Sequence, residues 1–123
     1  MKVLIINGSP RPRGNTKIAL DEMVKIFDQE DIESEIVHIG NKDIRGCSLS
    51  CKTKLGHCVF DDCVNEIAQK FEEADGLVVG TPVYYGSANA TLIAFLTRLF
   101  YSTPFDKTMK VGASAVVARR GGI

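Results

Sequence analysis

Ser9, Arg11, Arg13, Asn15 and Thr16 place two hydroxyls, two guanidinium groups and an amide within one short stretch, Gly8-Ser9-Pro10-Arg11-Pro12-Arg13-Gly14-Asn15-Thr16. Each of these side chains donates hydrogen bonds and two carry fixed positive charge, which is the chemistry of anion binding. The stretch follows an apolar run, Val3 to Ile6, and precedes an amphipathic segment that begins near Thr16. A loop between a strand and a helix start offers free N–H groups and a partial positive charge. Its length and residue types suit a phosphate monoester. Taken alone, the stretch leaves nucleotide, sugar phosphate and cofactor all open.

Two further groups carry chemistry. Thr81-Pro82-Val83-Tyr84-Tyr85-Gly86-Ser87 is a second polar loop, with two aromatic rings beside a glycine. Tyrosine offers a flat stacking area plus a hydroxyl, and glycine lets backbone amides approach a ligand edge. The third group is Cys47, Cys51, Cys58 and Cys63, four cysteines between residues 47 and 63. In a chain read as cytoplasmic, such a cluster suggests metal or redox chemistry before structural disulfides. Its spacing, three, six and four residues between successive cysteines, lies outside the usual zinc patterns. Cys63 falls inside a predicted helix, one turn from Val59 and Ile67, and reads as a small buried side chain. His38 and His57 read as surface residues, and Asp61-Asp62 reads as a helix cap rather than an acid–base pair.

The elements that must position these groups follow from periodicity. Val3 to Ile6 is apolar at successive positions, as parallel strands covered on both faces are. Helix one is expected from Thr16 to Gln29, and an edge strand from Glu35 to Ile39. A long loop, 40–59, leads to a helix with Val64, Ile67, Ala68 and Phe71 on one face. A third strand, Leu77 to Gly80, ends in the tyrosine loop. Helix three then carries Leu92, Ile93, Phe95, Leu96, Leu99 and Phe100 on its expected core face. A fourth strand, Val111 to Ala118, runs into Arg119-Arg120-Gly121-Gly122. Strand–helix alternation implies right-handed crossovers and a parallel sheet, with ligands beyond the carboxyl ends of the strands.

The bulk numbers narrow the partners. With 123 residues the chain is one domain, 1–123, and its 15 basic and 15 acidic residues suggest neither a nucleic-acid nor an anionic-membrane surface. No apolar run approaches spanning length, so the localisation expected is cytoplasmic.

Together the two loops resemble the NADPH-dependent FMN reductase and iron–sulfur-flavoprotein branch of the flavodoxin-like superfamily. Residues 8–16 resemble that branch's G-S-P-R-x-x-G-N-T phosphate loop, and residues 82–86 its P-V-Y-[FWY]-G flavin loop, followed by a helix bearing Arg98. The resemblance implies an α/β flavodoxin-like three-layer sandwich with parallel order 2-1-3-4(-5), the fifth strand absent from this chain and the domain C-terminally incomplete. It implies FMN, with NAD(P)H as co-substrate. Ser9, Arg11, Asn15 and Thr16 would hold the phosphate; Pro82, Val83, Tyr84, Tyr85, Gly86 and Ser87 would line the ring, with the 119–122 loop completing the pocket. The function implied is an FMN-dependent oxidoreductase passing electrons to a quinone, flavin, nitro compound or similar small-molecule acceptor, in a homo-oligomer such as a dimer. The chemistry would be the cofactor's own, so no side chain is assigned a catalytic role. The alternatives are a flavodoxin-type or iron–sulfur-flavoprotein electron carrier, and a non-enzymatic truncated binding module. The related iron–sulfur motif begins C-x-x-C-x-x-C, whereas Ser50 and Thr53 stand here where sulfur would be needed. A [4Fe–4S] cluster is therefore not expected, and Cys47, Cys51 and Cys58 remain the residues that would ligate a metal.

Overall fold

The computed structural model describes residues 1–49 and 57–121. Apolar runs become strands and amphipathic ones helices, in the order β1 (Lys2–Asn7), α1 (Asn15–Gln29), β2 (Glu33–His38), α2 (Cys63–Glu73), β3 (Gly76–Tyr84), β4 (Ser87–Ala88), α3 (Ala90–Ser102) and β5 (Val111–Val117). Strands β2, β1, β3 and β5 are parallel neighbours in that order. The strand expected as fourth is thus β5, beside β3, as the crossover rules require.

The strand count needs a correction. The sheet has five strands, not the expected four, because Ser87–Ala88 folds back antiparallel on Val83 and Tyr84 as β4. A two-residue strand has no periodicity to read, so it was invisible in the sequence. The turn that makes it, Tyr85-Gly86, has positive φ at both residues, 51° and 74°. That is the backbone pattern of a tight hairpin, and it explains the glycine.

Period-two alternation in β1 divides the core into two layers. Val3 and Ile5 pack with Leu20 of α1 and Val78 of β3. Leu4 and Ile6 face the other way, against Val64, Ile67 and Phe71 of α2 and Leu92, Phe95 and Leu99 of α3. Ile5 and Ile6 are wholly buried, each side chain contributing roughly 1.5–3 kcal/mol. Helix α2 starts where its cap is expected: the Asp62 carboxylate accepts from Val64 N at 3.1 Å. Among the described residues edge strand β2 pairs only with β1.

Helix α3 departs from expectation. Leu92, Phe95 and Leu99 are buried as anticipated, but Ile93 and Phe100 are exposed and Arg98 is buried. The inward stripe is therefore rotated to include a charge. Its guanidinium is compensated on several sides, by Asp62 Oδ1 at 2.7 Å, the Arg45 carbonyl at 3.2 Å and Cys58 Sγ at 3.4 Å. Burial disfavours that charge, yet Asp62 and Cys58 outweigh it and hold the Arg98 pKa above its ordinary value. Arg98 thereby ties α3 to the cysteine loop and the start of α2.

Candidate functional site

Strands β1, β3 and β5 all point their carboxyl ends at the same edge, and their loops meet there. Ser9, Arg11, Gly14, Asn15 and Thr16 form one wall of a cleft of about 340 Å3. Pro82, Val83 and Tyr84 form the second wall, and Val117, Ala118 and Arg119 the third. Among the described residues no carboxylate lines it, while two guanidinium groups, Arg11 and Arg119, do. The cleft is therefore electropositive at one side and apolar to aromatic at the other.

Helix α1 opens this cleft without a side-chain cap and without an acidic residue in its first turn. Its leading N–H groups and dipole are thus left for a ligand to complement. The loop before it is shaped by its own polar atoms. Ser9 N donates to Asn7 Oδ1 at 3.1 Å, Arg11 N donates to Ser9 Oγ at 3.2 Å, and Gly14 N donates to the Arg11 carbonyl at 3.3 Å. Ser9 and Thr16 are buried in the cleft floor, whereas Arg11 and Asn15 are exposed at its rim.

Of the residues expected to bind, the structure brings together Ser9, Arg11, Asn15, Thr16, Pro82, Val83 and Tyr84. Tyr85, Gly86 and Ser87 lie outside this cleft: Tyr85 is fully exposed at the hairpin tip. Tyr85 and Ser87, with Tyr84, instead line an adjoining open hollow of about 720 Å3 that also takes in Cys47, Ala90, Ile93 and Thr97. Arg13 is exposed and does not line the cleft, and Arg119 does, as expected of the last loop.

The three described cysteines are dispersed. Cys47 is half-buried at the hollow, Cys58 is buried beneath Arg98, and Cys63 opens α2. Burial first, and the Asp62 carboxylate second, push the Cys63 thiol above its ordinary pKa. Among the described residues no group of three His, Cys, Asp or Glu side chains converges. Cys51, Ser50, Thr53 and Gly122 lie outside the described residues.

Several residues that support the cleft went unread in the sequence. His38 is half-buried rather than a plain surface residue: its Nε2 lies 2.7 Å from the Ser9 carbonyl, which only accepts, so that nitrogen carries the hydrogen. Gly40 sits so close under the same carbonyl that a Cβ there would lie 2.1 Å from Ser9 O. Asn89 donates through Nδ2 to the Gly8 carbonyl at 2.7 Å. The one available signal was polar or glycine residues ending an apolar run at matching depth in the sheet, as Asn7, His38 and Gly80 do.

Comparison with known proteins accords with this geometry. The family model described as NADPH-dependent FMN reductase matches residues 1–123. An iron–sulfur flavoprotein of Methanocaldococcus jannaschii is 39% identical, the alignment covering 99% of this chain and 65% of the relative. An FMN-dependent NADPH-azoreductase of Staphylococcus aureus is 29% identical over 100% of this chain and 62% of its own. Among solved structures, the NAD(P)H:quinone oxidoreductase from Methanothermobacter marburgensis superposes with a TM-score of 0.72 at 15% identity, over 96% of this chain and 66% of that one. The chain thus spans a little under two thirds of the length of each of these proteins.

Proposed function

The chain belongs to the NADPH-dependent FMN reductase family, and we propose that its cleft holds FMN and serves an NAD(P)H-dependent oxidoreductase acting on a small-molecule acceptor. One observation carries this: a single cleft joins an uncapped helix start and two arginines, with no carboxylate among the described residues, to the Pro82-Val83-Tyr84 wall. FMN has those two ends, a phosphate dianion and a flat ring. The residues fit the group.

Bound there, FMN would supply the redox chemistry between nicotinamide and acceptor. The protein's part is binding and orientation. Ser9, Thr16 and Asn15, with the N–H groups of the first turn of α1, would hold the phosphate, and Arg11 would close over it from the rim. Pro82, Val83 and Tyr84 would seat the ring against Val117 and Ala118, and the open hollow beside Tyr84 would admit nicotinamide and acceptor in turn. A homo-oligomer is part of this reading. Helix α3 carries no charge except buried Arg98, and it turns Ala90, Ile93, Thr97 and Phe100 to solvent as one stripe. Helices apolar on two faces are ordinarily covered on both.

The cysteines do not fit an iron–sulfur centre of the related kind. Ser50 and Thr53 replace sulfur donors in the sequence, and the Cys58 thiol is buried and already accepts from Arg98 Nε. No step is routed through a cluster.

Titrating the protein with FMN while following flavin fluorescence tests the proposal. Saturable binding is expected, followed by bleaching of the visible flavin band on adding NADPH or NADH. Arg11→Ala is expected to weaken FMN about tenfold and leave riboflavin unchanged, since a charge-assisted contact contributes roughly 1.5–3 kcal/mol. Absence of FMN uptake, or bound flavin that neither nicotinamide reduces, would overturn it.

A further inference from the structure

Asn89 occupies the N-cap of α3, where an asparagine side chain ordinarily accepts from the first turn of its own helix. Here it makes no cap bond. Its amide reaches instead across the sheet edge, where Nδ2 donates to the Gly8 carbonyl at 2.7 Å, 81 residues away in sequence and buried. Its backbone N–H donates to Thr81 Oγ1 at 3.0 Å, and that hydroxyl donates on to the Pro82 carbonyl at 2.9 Å. Gly8 is also held from behind, its N–H donating to the Gly80 carbonyl at 2.8 Å. Space is tight at this point: a Cβ on Gly8 would meet Gly80 O at 2.9 Å and Leu92 at 3.0 Å.

Gly8 is the residue before Ser9, and Thr81-Pro82 lead into Val83 and Tyr84. A single residue outside both motifs therefore joins the two walls of the cleft from beneath, its side chain to Gly8 and its backbone N–H to Thr81. We infer that Asn89 is a positioning residue that sets the separation between the phosphate-side and ring-side walls, so that one ligand engages both ends at once. This rests on the FMN reading. The physical basis is preorganisation. A ligand held at two ends gains from a fixed spacing between them, because the second contact forms at high effective concentration. A ligand held at one end gains nothing from that spacing. The uncapped start of α3 is then the cost of using the amide elsewhere.

Asn89→Asp separates this from a merely structural role. Asn89 makes no cap bond to lose and aspartate is itself a good N-cap, so the start of α3 is not weakened by the substitution. But aspartate has no donor for the Gly8 carbonyl, and its carboxylate repels that oxygen. The experiment measures the affinity of parent and variant for FMN, riboflavin and inorganic phosphate, with Tm and hydrogen exchange of the 8–16 amides in the absence of ligand. Expected for Asn89→Asp are an approximately tenfold or greater loss for FMN, as the loss of one buried hydrogen bond implies, riboflavin and phosphate within about twofold of parent, as the preorganisation argument requires, and faster exchange at 8–16. Thr81→Val, which removes the other end of the bridge, is expected to reproduce the pattern, and its effect to be non-additive with Asn89→Asp. It also decides the question should Asn89→Asp not fold. FMN affinity unchanged, or all three ligands weakened alike, would overturn the inference. If the parent takes up no FMN, the functional reading fails by itself, and the exchange measurement alone decides whether Asn89 holds the loop.

Discussion

Strands β1 and β5 read alike in sequence and live in opposite surroundings. Both are apolar runs, and both are parallel strands that end at the cleft. From Val3 to Asn7 every residue of β1 is buried, with α1 on one face and α2 and α3 on the other. In β5 the first four residues are exposed, Val111 at 62% of its surface. Beside it, an apolar cleft of about 310 Å3 runs from Val111 and Ala113 to Met23, Phe27 and Ile32. An apolar run therefore specifies a strand and does not say what covers it. Burial comes from the neighbours a strand is given, and among the described residues β5 pairs with β3 alone.

Substitutions can break or sharpen that contrast, and the largest effect is expected in β1. Ile5→Ala removes a fully buried side chain and is expected to lower the unfolding free energy by about 3 kcal/mol in urea denaturation. An effect below about 1 kcal/mol would mean that the β1 layer is much looser than its burial implies. Gly40→Ala comes next, because the new Cβ would meet the Ser9 carbonyl backbone rather than a side chain that can move. The expected cost is about 2 kcal/mol, with FMN affinity lost as the loop shifts; retention of both would show that the loop yields freely.

The pH dependence gives a smaller effect on the buried side. Cys63 packs against the β1-side core, and its thiol pKa is raised in the fold, by burial first and by Asp62 second. A raised folded pKa contributes stability that is fully present below the unfolded value of 9.0 and lost as pH rises through the folded one. Stability is therefore expected to fall above about pH 9 more steeply in the parent than in Cys63→Ala, by denaturation at a series of pH values. Equal slopes would show that the thiol titrates as it does in the unfolded chain. The smallest effect belongs to β5. Gly112→Ala meets nothing within 4 Å, and by restricting the unfolded chain it is expected to change stability by only about +0.5 kcal/mol. A loss above about 1 kcal/mol would show that β5 is covered in solution and that the contrast with β1 holds only for the isolated chain.

The cleft was legible to different depths on its two sides. Ser9, Arg11, Asn15 and Thr16 are consecutive or nearly so, and a strand–loop–helix passage leaves them few ways to point, so they meet as their spacing implied. Pro82, Val83 and Tyr84 continue a strand and share that constraint. Tyr85, Gly86 and Ser87 turn away because two positive-φ residues reverse the chain into β4. The supports were harder still. His38, Gly40 and Asn89 act on residues 29, 31 and 81 positions away, and no local pattern encodes a partner at that separation.

By itself, then, the sequence determined what is local: which runs become strands or helices, where helices start, and which residue types collect at one end of the sheet. Period, caps and turn chemistry act over a few residues, and the chain states them directly. Tertiary structure alone decided the rest. It buried Arg98 because Asp62, Cys58 and the Arg45 carbonyl meet it there. Among the described residues it left the first half of β5 exposed while burying Val3 to Asn7 of β1, and it spent the Asn89 amide on a carbonyl across the sheet rather than on its own helix. Each of those outcomes depends on which distant groups arrive together, and only the folded chain fixes that.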